Sequence, residues 1–324
     1  MKVTVIGTGA YGLALALSLA KNKNDVMMWT ENESTYQEFL ESHQLKSILD
    51  VDIPKNIHLT TSYEKALADS SLILLVPASK YIDVVCQKMK PFYQKKTPIC
   101  VATKGIEEST EELLSNIVEN VLETKNVAVI SGPTFAIDMA HEEPVALALG
   151  SKNAKTRDLV IEALSHDRLK LRPTKDIIGI QLCGAVKNII AIAAGILKGL
   201  GYSESTQAFL INESLHDIKN IIYYLGGNPK TILSFAGVGD LTLTCTSTKS
   251  RNFSFGYIIG STKDPKKIRK YLDENTVEGY FTLNTVYKLL RKKSVRIPLI
   301  TTIYNVVYND EDPNTLATFL IEKE

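Results

Sequence analysis

The opening thirty or so residues constrain the fold more than any other stretch. Lys2-Val3-Thr4-Val5-Ile6 is a short run rich in β-branched side chains that stops at Gly7. An Ala/Leu-rich segment from about Ala10 to Lys21 follows with helical periodicity, and Asp25-Val26-Met27-Met28-Trp29 reads as a second strand. Strand, helix and strand in that space make a β-α-β unit with two parallel strands. Between the first strand and the helix stands Gly7-Thr8-Gly9-Ala10-Tyr11-Gly12, a full G-x-G-x-x-G. There Gly7 permits the tight turn, Gly9 lets a pyrophosphate approach the backbone, and Gly12 lets helix and strand pack closely. The helix N-terminus adds N–H groups and partial positive charge. A turn that binds nothing is the bland alternative; the expected ligand is a dinucleotide.

The acid that holds an adenosine ribose is expected about twenty residues beyond the turn. Glu31, just past the end of the second strand, is the candidate, against the reading of an ordinary exposed loop glutamate. No arginine stands in Trp29-Thr30-Glu31-Asn32, which favours NAD over NADP and leaves NADP as the second choice.

Apolar strands continue to alternate with helical patterns. Ser71–Val76, Pro98–Ala102, Asn126–Ile130 and Val145–Leu149 each end at Pro, Gly or a polar turn. This predicts a doubly wound, Rossmann-like and mostly parallel α/β sheet covered on both faces. After Arg172-Pro173-Thr174-Lys175 the pattern turns helical to the end, with breaks at Gly226–Pro229, Ala236–Asp240 and Ile297-Pro298. The expected division is a dinucleotide-binding domain over 1–173 and an all-α substrate domain over 174–324. At 44% hydrophobic and 23% charged the chain has the make-up of a globular protein with a sizeable core. Its net charge of +1 gives no general pull toward nucleic acid or membrane, so an anionic ligand must be met by a few placed cations.

The four cysteines (Cys86, Cys100, Cys183, Cys245) show no C-x-x-C spacing and read as reduced core thiols. The histidines are scattered, and no metal site is expected. No secretory leader is read at the N-terminus, and a cytoplasmic protein is expected. The Ile177–Leu200 run has the length of a membrane span but carries Gln181, Lys187, Asn188 and Lys198, so it reads as a core helix. Within it Lys187 is the most informative single residue. An ammonium among aliphatics is costly unless it is paired or loses its proton, and burial lowers its pKa toward the range useful for proton transfer. The alternative is a lysine whose head escapes to solvent at a helix edge.

Ligands of open α/β sheets lie beyond the carboxyl ends of the strands. Three such ends carry unusual residues: Val76-Pro77, Lys104-Gly105 and Ser131-Gly132-Pro133-Thr134-Phe135-Ala136. Later come Gly237-Val238-Gly239-Asp240-Leu241, Thr244-Cys245-Thr246-Ser247, Ser250-Arg251-Asn252 and Val277-Glu278-Gly279. With Gly7–Gly12, Ala102–Glu107, Asp176–Gly179 and Cys183–Gly195, this set closely resembles the NAD(P)-dependent glycerol-3-phosphate dehydrogenases of the bacterial type, nearly end to end.

The resemblance implies that Lys187 is the proton donor and acceptor, with Lys104, Asp240 and Thr244 as its catalytic neighbours. It implies a substrate site from Lys104, Gly132, Thr134, Lys187, Asn188, Asp240, Ser250, Arg251 and Asn252, the last three gripping a phosphate. The cofactor side would hold Gly7, Gly9, Ala10, Tyr11, Gly12, Glu31, Lys104, Ala136, Arg251 and Glu278. The implied reaction is reversible hydride transfer between NAD(H), or NADP(H), and dihydroxyacetone phosphate or sn-glycerol 3-phosphate, feeding glycerophospholipid synthesis. The implied partners are that small phosphorylated substrate and a second copy in a homodimer, with neither nucleic acid nor stable membrane insertion. The chain departs from the family at Ser203-Glu204-Ser205-Thr206-Gln207 and Asn212-Glu213-Ser214, where an asparagine and two cations are replaced, one of them by an acid. A related dehydrogenase of small hydroxy or sugar acids and a nucleotide-sensing protein without catalysis remain the alternatives.

Overall fold

The computed structural model describes residues 1–262 and 264–323. By its contacts the chain divides into two compact units, Met1–Lys104 with Leu114–Ile177, and Gly105–Leu113 with the chain from Ile178 onward.

The first unit alternates strands and helices. Its strands are β1 (Lys2–Ile6), β2 (Asp25–Trp29), β3 (Ile57–Thr60), β4 (Leu72–Leu75), β5 (Ile99–Val101), β6 (Val127–Ser131), β7 (Val145–Ser151) and β8 (Leu169–Thr174). Its helices are α1 (Ala10–Lys21), α2 (Glu33–Ser42), α3 (Tyr63–Leu67), α4 (Ile82–Met89), α5 (Leu114–Val121), α6 (Ala136–Ala140) and α7 (Ala154–Leu164). The eight strands form one sheet in the order β3-β2-β1-β4-β5-β6-β7-β8. The order reverses at β1, flanked by β2 on one side and β4 on the other, which opens a crevice at the carboxyl ends of β1 and β4. β4, β5 and β6 are buried along their whole length, as strands covered on both faces must be.

Two features differ from a plain parallel reading. β7 runs antiparallel to β6, and β8 runs parallel to β7, so the last pair is reversed. The link from β6 to β7 carries only the five-residue α6, too little to serve as a full helical crossover, and the chain returns alongside β6 instead. β3 and β8 escape the sequence reading because they are edge strands that alternate apolar with polar residues for most of their length. β8, Leu169-Lys170-Leu171-Arg172-Pro173-Thr174, turns Lys170 and Arg172 outward and carries a proline, all features that protect an edge.

From Ile178 onward the described residues contain helices and no strand. These are α8 (Ile177–Gly199), α9 (Glu204–Tyr224), α10 (Asp240–Thr246), α11 (Arg251–Thr262), α12 (Pro265–Glu274), α13 (Glu278–Lys292), α14 (Pro298–Tyr308) and α15 (Thr315–Glu322). α8 is long and apolar enough to cross a membrane, but 94% of its apolar window is buried inside the protein, so it is a core helix. It meets α11 along a seam of glycines. A Cβ on Gly195 would strike the Phe253 carbonyl, and one on Gly256 would strike the Ile192 carbonyl. The two backbones therefore touch directly. Before α10 a single π turn, Phe235–Gly239, contains Gly237 in a non-helical conformation pressed on the Ile232 backbone. That turn sets Asp240 at the first position of α10.

Candidate active site

In the first unit, the glycine turn is built as a cradle. Gly7 takes φ +117°, and its α-carbon faces the Val76 carbonyl and Pro77 nitrogen so closely that a Cβ would sit 3.1–3.3 Å from them. A Cβ on Gly12 would collide with the Gly7 carbonyl, whereas over Gly9 nothing lies within 4 Å. Gly9 caps α1 and can offer its first turn no side-chain acceptor, and nothing crowds the Gly9 α-carbon. A bound anion satisfies the N–H groups of such a turn. The residues thus fit a pyrophosphate.

Neighbouring strand ends join this turn. The Gly7 N–H donates to Trp29 O at 3.1 Å, and Thr8 Oγ1 donates to Thr30 Oγ1 at 2.8 Å, which ties the turn to the end of β2. Glu31 follows, exposed, with Lys88 Nζ of α4 at 2.6 Å from its Oε1. Beside it the Trp29 indole stacks on Tyr63 with ring centroids 4.1 Å apart. Burial, then the nearby Glu31 charge, pushes the Tyr63 phenol well up. Past β5, Thr103 Oγ1 donates to Pro77 O at 2.6 Å and Lys104 Nζ donates to Gly132 O at 3.2 Å. Ser131 Oγ and Thr134 Oγ1 are buried and find no partner among the described residues. Ala136 opens α6. Gly7, Gly9, Ala10, Tyr11, Gly12 and Glu31 thus share one region, and Lys104, Gly132, Thr134 and Ala136 gather beyond β5 and β6. Sequence reasoning missed Lys88, which lies far from Glu31 along the chain; Ser131 stood in the strand-end set but was given no role of its own.

In the second unit, Lys187 lies on α8 with 7% of its side chain exposed. Its Nζ donates to Asp240 Oδ1 at 2.5 Å and to Thr244 Oγ1 at 2.7 Å, both on α10. Asp240 and Thr244 share a face because they stand one helical turn apart, and Thr244 Oγ1 donates in turn to Asp240 O at 2.7 Å. The amine is therefore paired, not turned out to solvent. Burial pushes the neighbouring Cys245 thiol far up, so it stays protonated and inert beside the pair.

The next residue, Asn188, continues the network. Asn252 Nδ2 donates to Asn188 Oδ1 at 3.0 Å, and Asn252 Oδ1 accepts from the Gly279 N–H at 2.8 Å, which places Glu278 alongside. Ser250 Oγ accepts from the Phe253 N–H at 3.3 Å at the start of α11. Arg251, at the first position of α11, is exposed and forms no ion pair among the described residues. A free guanidinium beside a helix N-terminus suits a phosphate. Lys187, Asn188, Asp240, Thr244, Asn252 and Glu278 are thus linked by contact or adjacency, with Ser250 and Arg251 at the margin.

The segments that depart from the family lie elsewhere in this unit. Glu204, Gln207 and Asn212 line a cavity of about 700 Å³ with Thr242 and Thr246, which stand on the face of α10 away from Asp240 and Thr244. Glu204 accepts from Lys198 Nζ at 2.8 Å, and Glu213 pairs with Lys323 at 3.3 Å. The acid that replaces a cation is thus matched by a lysine near the C-terminus.

Comparison with known proteins agrees with this geometry. Residues 2–157 match the family model for the NAD-dependent glycerol-3-phosphate dehydrogenase N-terminus, and residues 176–318 match that for its C-terminus. A glycerol-3-phosphate dehydrogenase [NAD(P)+] of a Thermoanaerobacter species is 33% identical, over 100% of this chain and 98% of its own. One from Serratia marcescens is 36% identical, over 98% and 95%. The crystal structure of glycerol-3-phosphate dehydrogenase from Coxiella burnetii superposes with a TM-score of 0.93 at 32% identity, covering 99% of both chains. With both halves matched and relatives above 30% identity along its whole length, this chain belongs to the NAD-dependent glycerol-3-phosphate dehydrogenase family.

Proposed function

We propose that the protein reversibly reduces dihydroxyacetone phosphate to sn-glycerol 3-phosphate with a reduced nicotinamide dinucleotide. The observation that carries this is the buried Lys187–Asp240–Thr244 arrangement, in a chain whose relatives bear that enzyme's name. When bound, the cofactor supplies or accepts the hydride at the nicotinamide C4. The chain's own residues do the rest. Lys187 gives a proton to the C2 carbonyl oxygen as the hydride reaches C2, relieving the charge that builds there. Asp240 and Thr244 hold the amine in one rotamer, so the proton sits on a fixed line toward the substrate. In the oxidative direction the neutral amine takes the proton of the C2 hydroxyl.

Arg251 and the N–H groups at the start of α11 bind the substrate phosphate and use it as a handle that fixes the carbonyl. Lys104, Gly132 and Thr134 line the substrate from the strand ends, and Asn188 and Asn252 hold its polar edge. Glu278 and Ala136 lie on the cofactor side, with the turn Gly7–Gly12 on the pyrophosphate and Glu31 on the adenosine ribose. The product enters glycerophospholipid synthesis, and the working form is a cytoplasmic homodimer. Support for both is the family likeness.

The test is an assay of reduced-nicotinamide consumption over a panel of ketones bearing phosphate or carboxylate. Turnover with dihydroxyacetone phosphate above all others is expected. Turnover with a keto acid but not with this phosphate would reject the assignment.

A further inference from the structure

The adenosine end of the dinucleotide site carries two opposite charges in contact. Thr30 is bonded to Thr8 of the glycine turn, and Glu31 follows it, so an adenosine ribose held at the turn comes within reach of the Glu31 carboxylate. The fold adds what the local sequence lacks. Lys88, near the end of α4, sets its Nζ 2.6 Å from Glu31 Oε1. The two side chains are 47% and 73% exposed, so water screens the pair and it opens at little cost. Beneath them the platform is fixed, because the Trp29 indole N–H donates to Thr61 O at 3.0 Å and its ring stacks on Tyr63.

Charge decides what this pair does to cofactor choice. A ribose 2′-hydroxyl donates to the Glu31 carboxylate, which Lys88 holds in place. A 2′-phosphate is repelled by that carboxylate and needs a cation nearby. We propose that Lys88 is the specificity residue that admits the 2′-phosphate, by leaving Glu31 and pairing with the phosphate, so that one exchangeable ion pair lets the site take both NADH and NADPH. This rests on the dinucleotide reading given above. A lysine suits the exchange, since its compact charge rides on a flexible stem, whereas an arginine fork would grip the carboxylate at two points. Glu31, the more exposed partner, is free to swing into solvent as the phosphate arrives.

Fluorescence titration with NADH and with NADPH, without substrate, reads both affinities apart from turnover. The comparison uses wild-type, Lys88→Gln and Lys88→Arg protein. Wild type is expected to bind both cofactors. Lys88→Gln should weaken NADPH by roughly tenfold to a hundredfold, the range for losing one charge-assisted contact, and NADH by less than about threefold. Lys88→Arg should recover only part of the NADPH affinity, because its fork holds on to the Glu31 carboxylate. Added salt should weaken NADPH more steeply in wild type than in Lys88→Gln. Equal weakening of the two cofactors would make Lys88 a mere prop for the loop and overturn the proposal. So would NADPH affinity that ignores Lys88→Gln, or a wild type that binds NADH alone. A wild type that binds neither cofactor overturns the dinucleotide reading itself, and this proposal with it.

Discussion

Lys187 Nζ and Asp240 Oδ1 stand 2.5 Å apart with 7% and 1% of their side chains exposed. Taking two charges so far out of water is expensive, and their attraction repays that cost only when the remaining bonds are also made. Thr244 makes one of them. A pair of this kind is weak evidence of stability and stronger evidence of a site, because an apolar pair would serve the core at least as well.

Removing the amine therefore separates chemistry from binding. Lys187→Ala is expected to lower kcat by about a hundredfold to ten-thousandfold, the range for loss of a general acid. NADH affinity should stay near that of wild type, since the glycine turn belongs to the other unit. Steady-state kinetics beside a binding titration checks this; a near-normal kcat refutes the role.

Asp240→Asn leaves the ammonium buried without its counter-charge. Breaking a buried pair from one side costs about 3–5 kcal/mol, so denaturant melts should show a marked loss of stability. The double variant Asp240→Asn, Lys187→Met should recover much of it. No recovery would mean that Asp240 matters through other contacts.

The exposed guanidinium of Arg251 has a different signature. Arg251→Ala should raise KM for the phosphorylated substrate far more than it lowers kcat, if the phosphate is gripped alike in ground and transition states. An unphosphorylated ketone should not feel the change. Equal loss on both substrates would point to a disturbed α11.

Gly256→Ala tests the helix seam. The added methyl meets the Ile192 backbone, which has no rotamer to escape into. Overpacking of this kind typically costs about 1–3 kcal/mol, and contact with backbone belongs at the upper end. Thermal melts at one pH measure it, and an unchanged Tm would show that the seam gives way.

His166 predicts a pH dependence. Burial, then the Lys21 charge, holds its imidazole below the ordinary 6.5, and its Nε2 is buried without a partner among the described residues. As pH falls through 6.5 the unfolded chain takes up a proton that the folded one refuses. Stability present above that pH is thus lost toward the lower folded value. Between roughly pH 7.5 and 5.5 the wild-type Tm should fall more steeply than that of His166→Gln. Parallel slopes would remove His166 as the cause.

Much of this was legible in the residues. The apolar runs of β1, β4, β5 and β6 announce strands buried on both faces, and one lysine in an apolar helix announces a site. The glycine spacing gave its turn. What stayed hidden depends on tertiary approach. β3 and β8 alternate polar with apolar residues at the sheet edges and look like loops. The reversal of β7 is decided by how a short link returns, which no periodicity records. The same holds for Lys88 at Glu31: Trp29–Asn32 carries no arginine, and the fold imports a cation from α4. Lys323 beside Glu213 is likewise out of reach of any local window.

The contact of α8 with α11 also limits what the protein can become. Lys187 rides on one helix and Arg251 on the other, and where the two touch at Gly195 and Gly256 there is no bulk to trim. The spacing between the proposed proton donor and the proposed phosphate grip is thus set by two helix axes, not by a wall of exchangeable groups. Redesign for a longer phosphoester has to shift a whole helix, and a pocket-widening mutation alone will not do it.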